Sequence, residues 1–510
     1  MSKNVTMVLF YGVICKFFVF FKDLILAATF GTMGYVDLLL MTQAMVGLPV
    51  MVISTMLTAS FIPKFLDIKN NKGDNEAEIF FYGIAVKTLI FSVILSIFLL
   101  LVDDLYIQLF ASGYNQEKKE ALKMMFQLSL SGVSITLVYN VLLLRMQAVN
   151  EFKVSSFSNI PQTIAVIFII LFSNQIGGKY LALINVIGPL VSLLFLGTFY
   201  VYRYNSTFRI TKNILTLSDN EKAIIKLSLP LLISSFLNQL NLIVDRNLAS
   251  GLDEGMLAAL GYSIKICAIL SSIILPLLVV FLPSFSSKSG ENKLIEIRKE
   301  VNKILSTSIY LLLPIILFVC LNVTELVELL FQRGEFSEED TITTSMLTIP
   351  YLFSVVLFQF INGILIRAFF SINKIKETII VNASIVLLNI ALCVTLTPII
   401  GVYGIAISSA ISGFFGFALY FYYYSKIFKF KLTYKIAKDS IPFVASISIC
   451  FSLITLINKI FVIGFGAFMV IILNLTLAFA FIYLLVMILN VKFYKKLAFD
   501  IISRVKSFLI

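Results

Sequence analysis

Apolar runs of about 18 residues or more recur along the whole chain, which leaves few folds open. Inside a bilayer every backbone N–H and C=O must find its partner within the protein, so spanning segments are helices or closed barrels. A barrel would show alternating segments of about ten residues, and none appear. The chain therefore reads as an all-α polytopic membrane protein. Spans are expected at 5–30, 35–61, 79–102, 122–148, 159–174, 179–202, 227–250, 255–285, 304–325, 346–370, 377–398, 401–424, 439–458 and 462–490. That makes about 14 transmembrane helices at the usual length of roughly 20 residues. The first apolar segment is too long and too charged for a cleaved leader, so it counts as a retained span.

The spans fall into two like sets. Phe61-Ile62-Pro63-Lys64-Phe65 returns as Phe281-Leu282-Pro283-Ser284-Phe285. Leu144-Arg145 with Asn150 and Lys153 returns as Ile366-Arg367 with Asn373 and Lys376. Asp23 returns as Asp245, Leu109-Phe110 with Gly113 as Leu330-Phe331 with Gly334, and Ile176-Gly177 as Ile400-Gly401. A near-constant offset of roughly 222 residues is what an internal duplication produces. Each copy holds six spans, an even number, so the repeats are parallel. The expected organisation is a first lobe at 1–203, a cytoplasmic linker at 204–226 and a second lobe at 227–426. Two further helices follow at 427–490, then a basic cytoplasmic tail at 491–510.

Charge sets orientation more than partnership. The net charge is +12, and with the N-terminus inside, about 29 Lys/Arg fall in cytoplasmic loops against about 6 outside. The tail from Lys492 to Lys506 reads either as an amphipathic helix on anionic inner-leaflet lipids or as a solvated segment. No soluble basic domain exists to bind nucleic acid. The five cysteines lie in apolar runs and read as small hydrophobes, and the absence of histidine removes the commonest metal ligand. No metal, cofactor or phosphate-binding glycine loop is expected. Transport would draw on membrane potential, on an ion gradient, H+ or Na+, or on consumption of the substrate downstream.

Charges within spans carry the functional signal, because each costs at least about 2.5–3.5 kcal/mol near the bilayer centre. Span 1 holds Lys16, Lys22 and Asp23, and Asp37 opens span 2. Asp245 and Arg246 lie in span 7, and Lys265 sits in span 8. Lysines outnumber carboxylates at mid-depth, which suits an anion. Lys22–Asp23 and Asp245–Arg246 also admit a second reading, as ion pairs to neighbouring helices that serve folding alone. Lys87 and Arg145 lie near span ends and read as snorkelling side chains. Pro49, after Gly47, is expected to break span 2 beside the cations, either as a hinge or as a structural kink.

Phe21-Lys22-Asp23 with Ala27-Ala28-Thr29-Phe30-Gly31 and Asp37 resembles the opening motif of the MurJ/MviN lipid II flippases. So do Ala59-Ser60-Phe61-Ile62-Pro63, Leu330-Phe331-Gln332-Arg333-Gly334-Glu335-Phe336 with Asp340-Thr341, and Arg367-Ala368-Phe369-Phe370. The resemblance covers almost the whole chain. It implies a 14-helix transporter of the multidrug/oligosaccharidyl-lipid/polysaccharide superfamily, not an enzyme. Such a protein moves a polyprenyl-diphosphate-linked glycan between leaflets by alternating access, in peptidoglycan biosynthesis, in the bacterial cytoplasmic membrane. By position, Lys16, Lys22 and Lys265 fall on the family's cavity arginines, Asp37 falls on its aspartate, and spans 13 and 14 form the lipid-tail groove. Cell-wall synthesis proteins become candidate partners, and a monomer is the expected state. Two departures stand out. The three arginines are lysines, which keep charge but lose the bidentate grip on phosphate. The region from Gly47 to Thr55, where the family has charges, has none. The cargo of choice is lipid II. Another lipid-linked oligosaccharide, an ion-coupled multidrug-type exporter and a membrane glycan polymerase or ligase are the competing readings.

Overall fold

A computed structural model describes residues 3–204, 239–275, 293–428 and 466–489, with residues 236, 278, 281, 285, 451–454 and 458 besides. Every element among them is helical. Helices α1 (Lys3–Phe30), α2 (Gly34–Lys72), α3 (Asp74–Leu101), α4 (Asp103–Phe110), α5 (Gln116–Ala148), α6 (Phe152–Phe157) and α7 (Asn159–Ile176) open the chain. A 3-10 turn at Gly178–Leu183 leads into α8 (Ile184–Tyr204). Then come α9 (239–250), α10 (Met256–Ile274), α11 (Lys293–Leu321), α12 (Val323–Phe331) and α13 (Glu338–Tyr351). A π-helical stretch at Leu352–Phe358 precedes α14 (Gln359–Ser371), α15 (Ile375–Ile400), α16 (Tyr403–Ile427) and α17 (Ala467–Leu489).

Among the described residues nine helical segments are long and apolar enough to cross a membrane, with two shorter apolar helices besides. Their outer faces suit lipid: on α3, Phe91, Ile94 and Phe98 are all exposed. The expected linker, most of span 13 and the basic tail lie outside the described residues. One expectation fails at once. Helix α2 runs unbroken through Gly47 and Pro49, so Pro49 does not break it. A proline removes one backbone hydrogen bond, and a long helix held by its neighbours absorbs that loss.

The duplication is visible in local geometry. Asn150 and Asn373 are the two non-glycine residues with positive φ among those described, at 65° and 60°. Each closes the same turn. Asn150 N–H donates to Gln147 and Glu151 N–H to Met146, while Asn373 N–H donates to Phe370 and Lys374 N–H to Phe369. Asparagine tolerates this left-handed conformation better than most side chains. The Phe-x-Pro-x-Phe motif is a stacked ring pair in both copies. Phe61–Phe65 centroids are 5.7 Å apart at 21°, and Phe281–Phe285 centroids 6.2 Å apart at 22°. Phe61 also stacks on Phe80 at 5.8 Å within a buried cluster that includes Tyr82, Tyr139 and Tyr200.

The chain forms two compact units. The first comprises Met1–Tyr262, Arg333–Asp340 and Asn389–Ile405, and the second comprises Ser263–Gln332, Thr341–Leu388 and Ala406–Ile510. In the first, Arg145 is not a snorkelling residue. It is 2% exposed and bonded to Glu78, with its guanidinium 4.7 Å from the Tyr200 ring and 3.8 Å from the Tyr204 ring. Tyr200 Oη donates to Glu78 Oε2 at 2.7 Å. A counter-charge and two aromatic faces make burial of the cation tolerable. In the second unit, Asn474 on α17 donates to Asn322 at 2.7 Å, where α17 packs near Tyr310, Phe451 and Ile454.

Candidate functional site

A cavity of about 290 Å³ lies inside the first unit. Five helices line it: α1 with Val19 and Lys22, α2 with Gln43, Val46, Gly47 and Val50, and α5 with Gly132, Val133 and Thr136. Helix α7 adds Asn159, Gln162, Thr163 and Val166, and α8 adds Ile184, Asn185 and Pro189. Small residues make the space. Gly47 has nothing within 4 Å of where a Cβ would stand, whereas a Cβ on Gly132 would meet the Asn185 carbonyl and force α5 and α8 apart. Among the described residues Lys22 is the single charged one in this lining. Its ammonium pairs with Asp23 Oδ1 at 2.9 Å, with side-chain exposures of 20% and 6%. Adjacent helical positions diverge by about 100°, so the pair forms because the lysine stem bends back. The Lys22–Asp23 contact itself is internal to α1.

The other candidates separate. Lys16 is exposed on α1, with no hydrogen-bond or ion-pair partner among the described residues. Lys265 lies half-buried on α10 in the second unit. Asp245 lies on α9, where its Oδ1 is 3.3 Å from the Cys393 thiol, and that thiol is also 3.4 Å from Asn389 Oδ1. Cys393 is therefore more than apolar filler. Arg246 is half-buried on the same helix.

Asp37 departs from its expected place among the cavity charges. Its carboxylate accepts from Gly255 N–H and Ala258 N–H, both at 2.7 Å. It caps the start of α10, where free backbone donors and the helix dipole favour an anion. Around it one end of the first unit is drawn together. Gly34 N–H donates to Glu254 Oε1 at 2.8 Å, and Lys118 pairs with Glu254 Oε2 at 2.9 Å. Gly113 N–H donates to Ser250 Oγ at 3.0 Å. The Leu-Phe-Gln-Arg-Gly-Glu-Phe motif belongs here too. Glu335 N–H donates to the Ala28 carbonyl at 3.1 Å, and Phe336 meets the Tyr262 ring edge-on at 5.6 Å. Gly334 has φ +60°, and a Cβ there would strike the same Ala28 carbonyl, so the position requires glycine.

Reading charges alone misses the neutral polar lining: Gln43, Thr136, Asn159, Gln162, Thr163 and Asn185. The available signal was the spacing of Asn159 and Gln162, two side-chain amides three residues apart at the head of an apolar span, on one helix face.

A family model described as lipid II flippase MurJ matches residues 26–479. A probable lipid II flippase MurJ of Thermotoga maritima is 23% identical over 398 residues, 78% of this chain and 80% of that protein. One from Rhizobium meliloti is 27% identical over 206 residues, covering 40% of this chain and 38% of that protein. Among solved structures, a lipid II flippase MurJ in an inward closed conformation superposes with TM-score 0.76 at 17% identity, covering 97% of this chain and 99% of that one. An inward-facing MATE-family multidrug transporter gives TM-score 0.68 at 15% identity, covering 80% and 95%. At these identities the two structures establish the fold.

Proposed function

Because the chain belongs to the lipid II flippase MurJ family, we propose that it carries lipid II from the inner to the outer leaflet by alternating access. The observation that carries this reading is the family match, which runs through both repeats and into α17. Of the two neighbouring folds, the flippase also covers more of the chain than the MATE transporter does, which speaks against the multidrug exporter. The seat of action is the bacterial cytoplasmic membrane with both termini inside. The work is transport rather than catalysis, driven by membrane potential or by an H+ or Na+ gradient.

Within that reading, Lys16, Lys22 and Lys265 neutralise the diphosphate of the cargo. The lipid tail stays outside the protein core, in a groove that includes α17. Support comes from Lys22, a cation lining a cavity that also presents neutral polar side chains inside a membrane bundle. Gly47 and Pro49 serve as the hinge of α2. Asp23, Asp245 and Arg246 balance charge around the path, while Asp37 holds the end of the first unit.

Complementation tests the function directly. Cells depleted of their own lipid II flippase should survive on this chain, with lipid II reaching the outer leaflet. Charge-assisted contacts contribute about 1.5–3 kcal/mol each, so Lys16→Ala and Lys265→Ala should each slow flipping roughly tenfold or more. Wild-type rates in both variants would remove the cations from the mechanism. Failure of the unmodified chain to rescue would count against lipid II as cargo.

A further inference from the structure

We propose that the cavity inside the first unit is the subsite for the sugar joined directly to the diphosphate, a pyranose bearing hydroxyl and amide groups. This rests on the flippase reading and goes beyond it, by giving the neutral lining a role in selecting cargo.

The lining has unused hydrogen-bonding capacity of both kinds. Gln43 and Thr136 have no partner among the described residues, and both line the cavity. Gln162 accepts from Ser192 through Oε1 at 2.9 Å, which leaves its Nε2 as an available donor. Asn185 donates through Nδ2 to Ser129 at 3.1 Å, which leaves its Oδ1 as an available acceptor. Donors and acceptors mixed at short range suit a ligand that carries both, as sugar hydroxyl and acetamido groups do. Lys22 stands in the same lining. An anion held there would place its nearest neutral substituent against the amides. In a polyprenyl-diphosphate glycan that substituent is the first sugar.

Size and composition narrow the class further. At roughly 30 Å³ per water, the space holds about ten waters. That suits one substituted pyranose ring, not a whole glycan headgroup. Among the described residues no carboxylate and no aromatic ring lines the cavity, so a cationic amphiphile finds neither counter-charge nor stacking face there. The valine walls offer a surface to the C–H face of a sugar ring.

The test compares two probes on the purified full-length chain in lipid nanodiscs: a polyprenyl diphosphate, and the same lipid carrying one N-acetylhexosamine. Wild type should bind the sugar-bearing lipid about tenfold more tightly, the worth of one to three net hydrogen bonds. Gln43→Leu and Thr136→Val break no hydrogen bond among the described residues, and thermal unfolding checks that both variants fold. The double variant should lose most of that tenfold preference and bind the bare diphosphate as before. Lys22→Gln should weaken both lipids alike. Equal binding of the two probes by wild type, or an undiminished preference in the double variant, overturns the sugar subsite and leaves the flippase reading standing. If neither probe binds wild type, both proposals fall.

Discussion

Arg145 and Lys22 show two ways of keeping a cation among helices. Arg145 is locked by Glu78 and two tyrosine rings, whereas Lys22 holds one carboxylate and faces open space. The first arrangement serves stability. Glu78→Ala leaves a buried guanidinium without its counter-charge and should cost about 3 kcal/mol. The chain has no tryptophan, so unfolding is best followed by dye labelling of the buried thiols Cys15, Cys267 and Cys393. The second arrangement is the one we propose for binding. Lys22→Arg should keep flipping, because charge is retained, while Lys22→Gln should lose it and lower the melting temperature as well, since buried Asp23 loses that ammonium. The duplicate of Arg145 differs. Among the described residues Arg367 bonds only to the Gly363 carbonyl, at 3.0 Å, although the offset of 222 that relates it to Arg145 carries Glu78 onto another acid, Glu300. Tyr424 donates to Asn302 at 2.9 Å, as Tyr200 does to Glu78.

Between elements, glycine positions separate packing from motion. Gly132 lets α5 approach α8, as small residues do at membrane helix crossings. Gly132→Val should lower the melting temperature and abolish cargo binding together. Gly47 meets nothing, so Gly47→Ala should leave stability intact and slow turnover if α2 bends there. A wild-type rate in a folded Gly47→Ala protein would remove the hinge. The turn joining α9 to α10 has its own pH dependence. Lys118, bonded to Glu254, holds that carboxyl below the usual glutamate range. A depressed value means the contact is fully present above the ordinary pKa, about 4.3, and is lost as pH falls through the lower, folded-state one. Melting temperature should therefore drop more steeply below about pH 4 in wild type than in Glu254→Gln.

For the molecule as a whole, the helical class and the duplication were legible because both are written in long, periodic signals. The Asn150/Asn373 turns and the stacked phenylalanine pairs fell where the offset put them. The role of Asp37 was not legible, since its backbone donors lie 218 and 221 residues away. Charge in a span signals importance without saying whether the partner is cargo or a helix end. The cavity amides were hidden for the opposite reason: a neutral amide in an apolar run barely disturbs hydropathy. The hydrogen bond from Glu335 to Ala28 has a consequence for biogenesis. Residues 333–340 and 389–405 belong to the first unit, yet a ribosome making roughly 5–20 residues per second delivers them tens of seconds after α1. The first helix must wait in the bilayer, its end unfinished, while eight more expected spans are inserted. During that interval the nascent chain is open to chaperones and quality-control proteases. Chains stalled before residue 340 should be degraded far faster than chains stalled after residue 405.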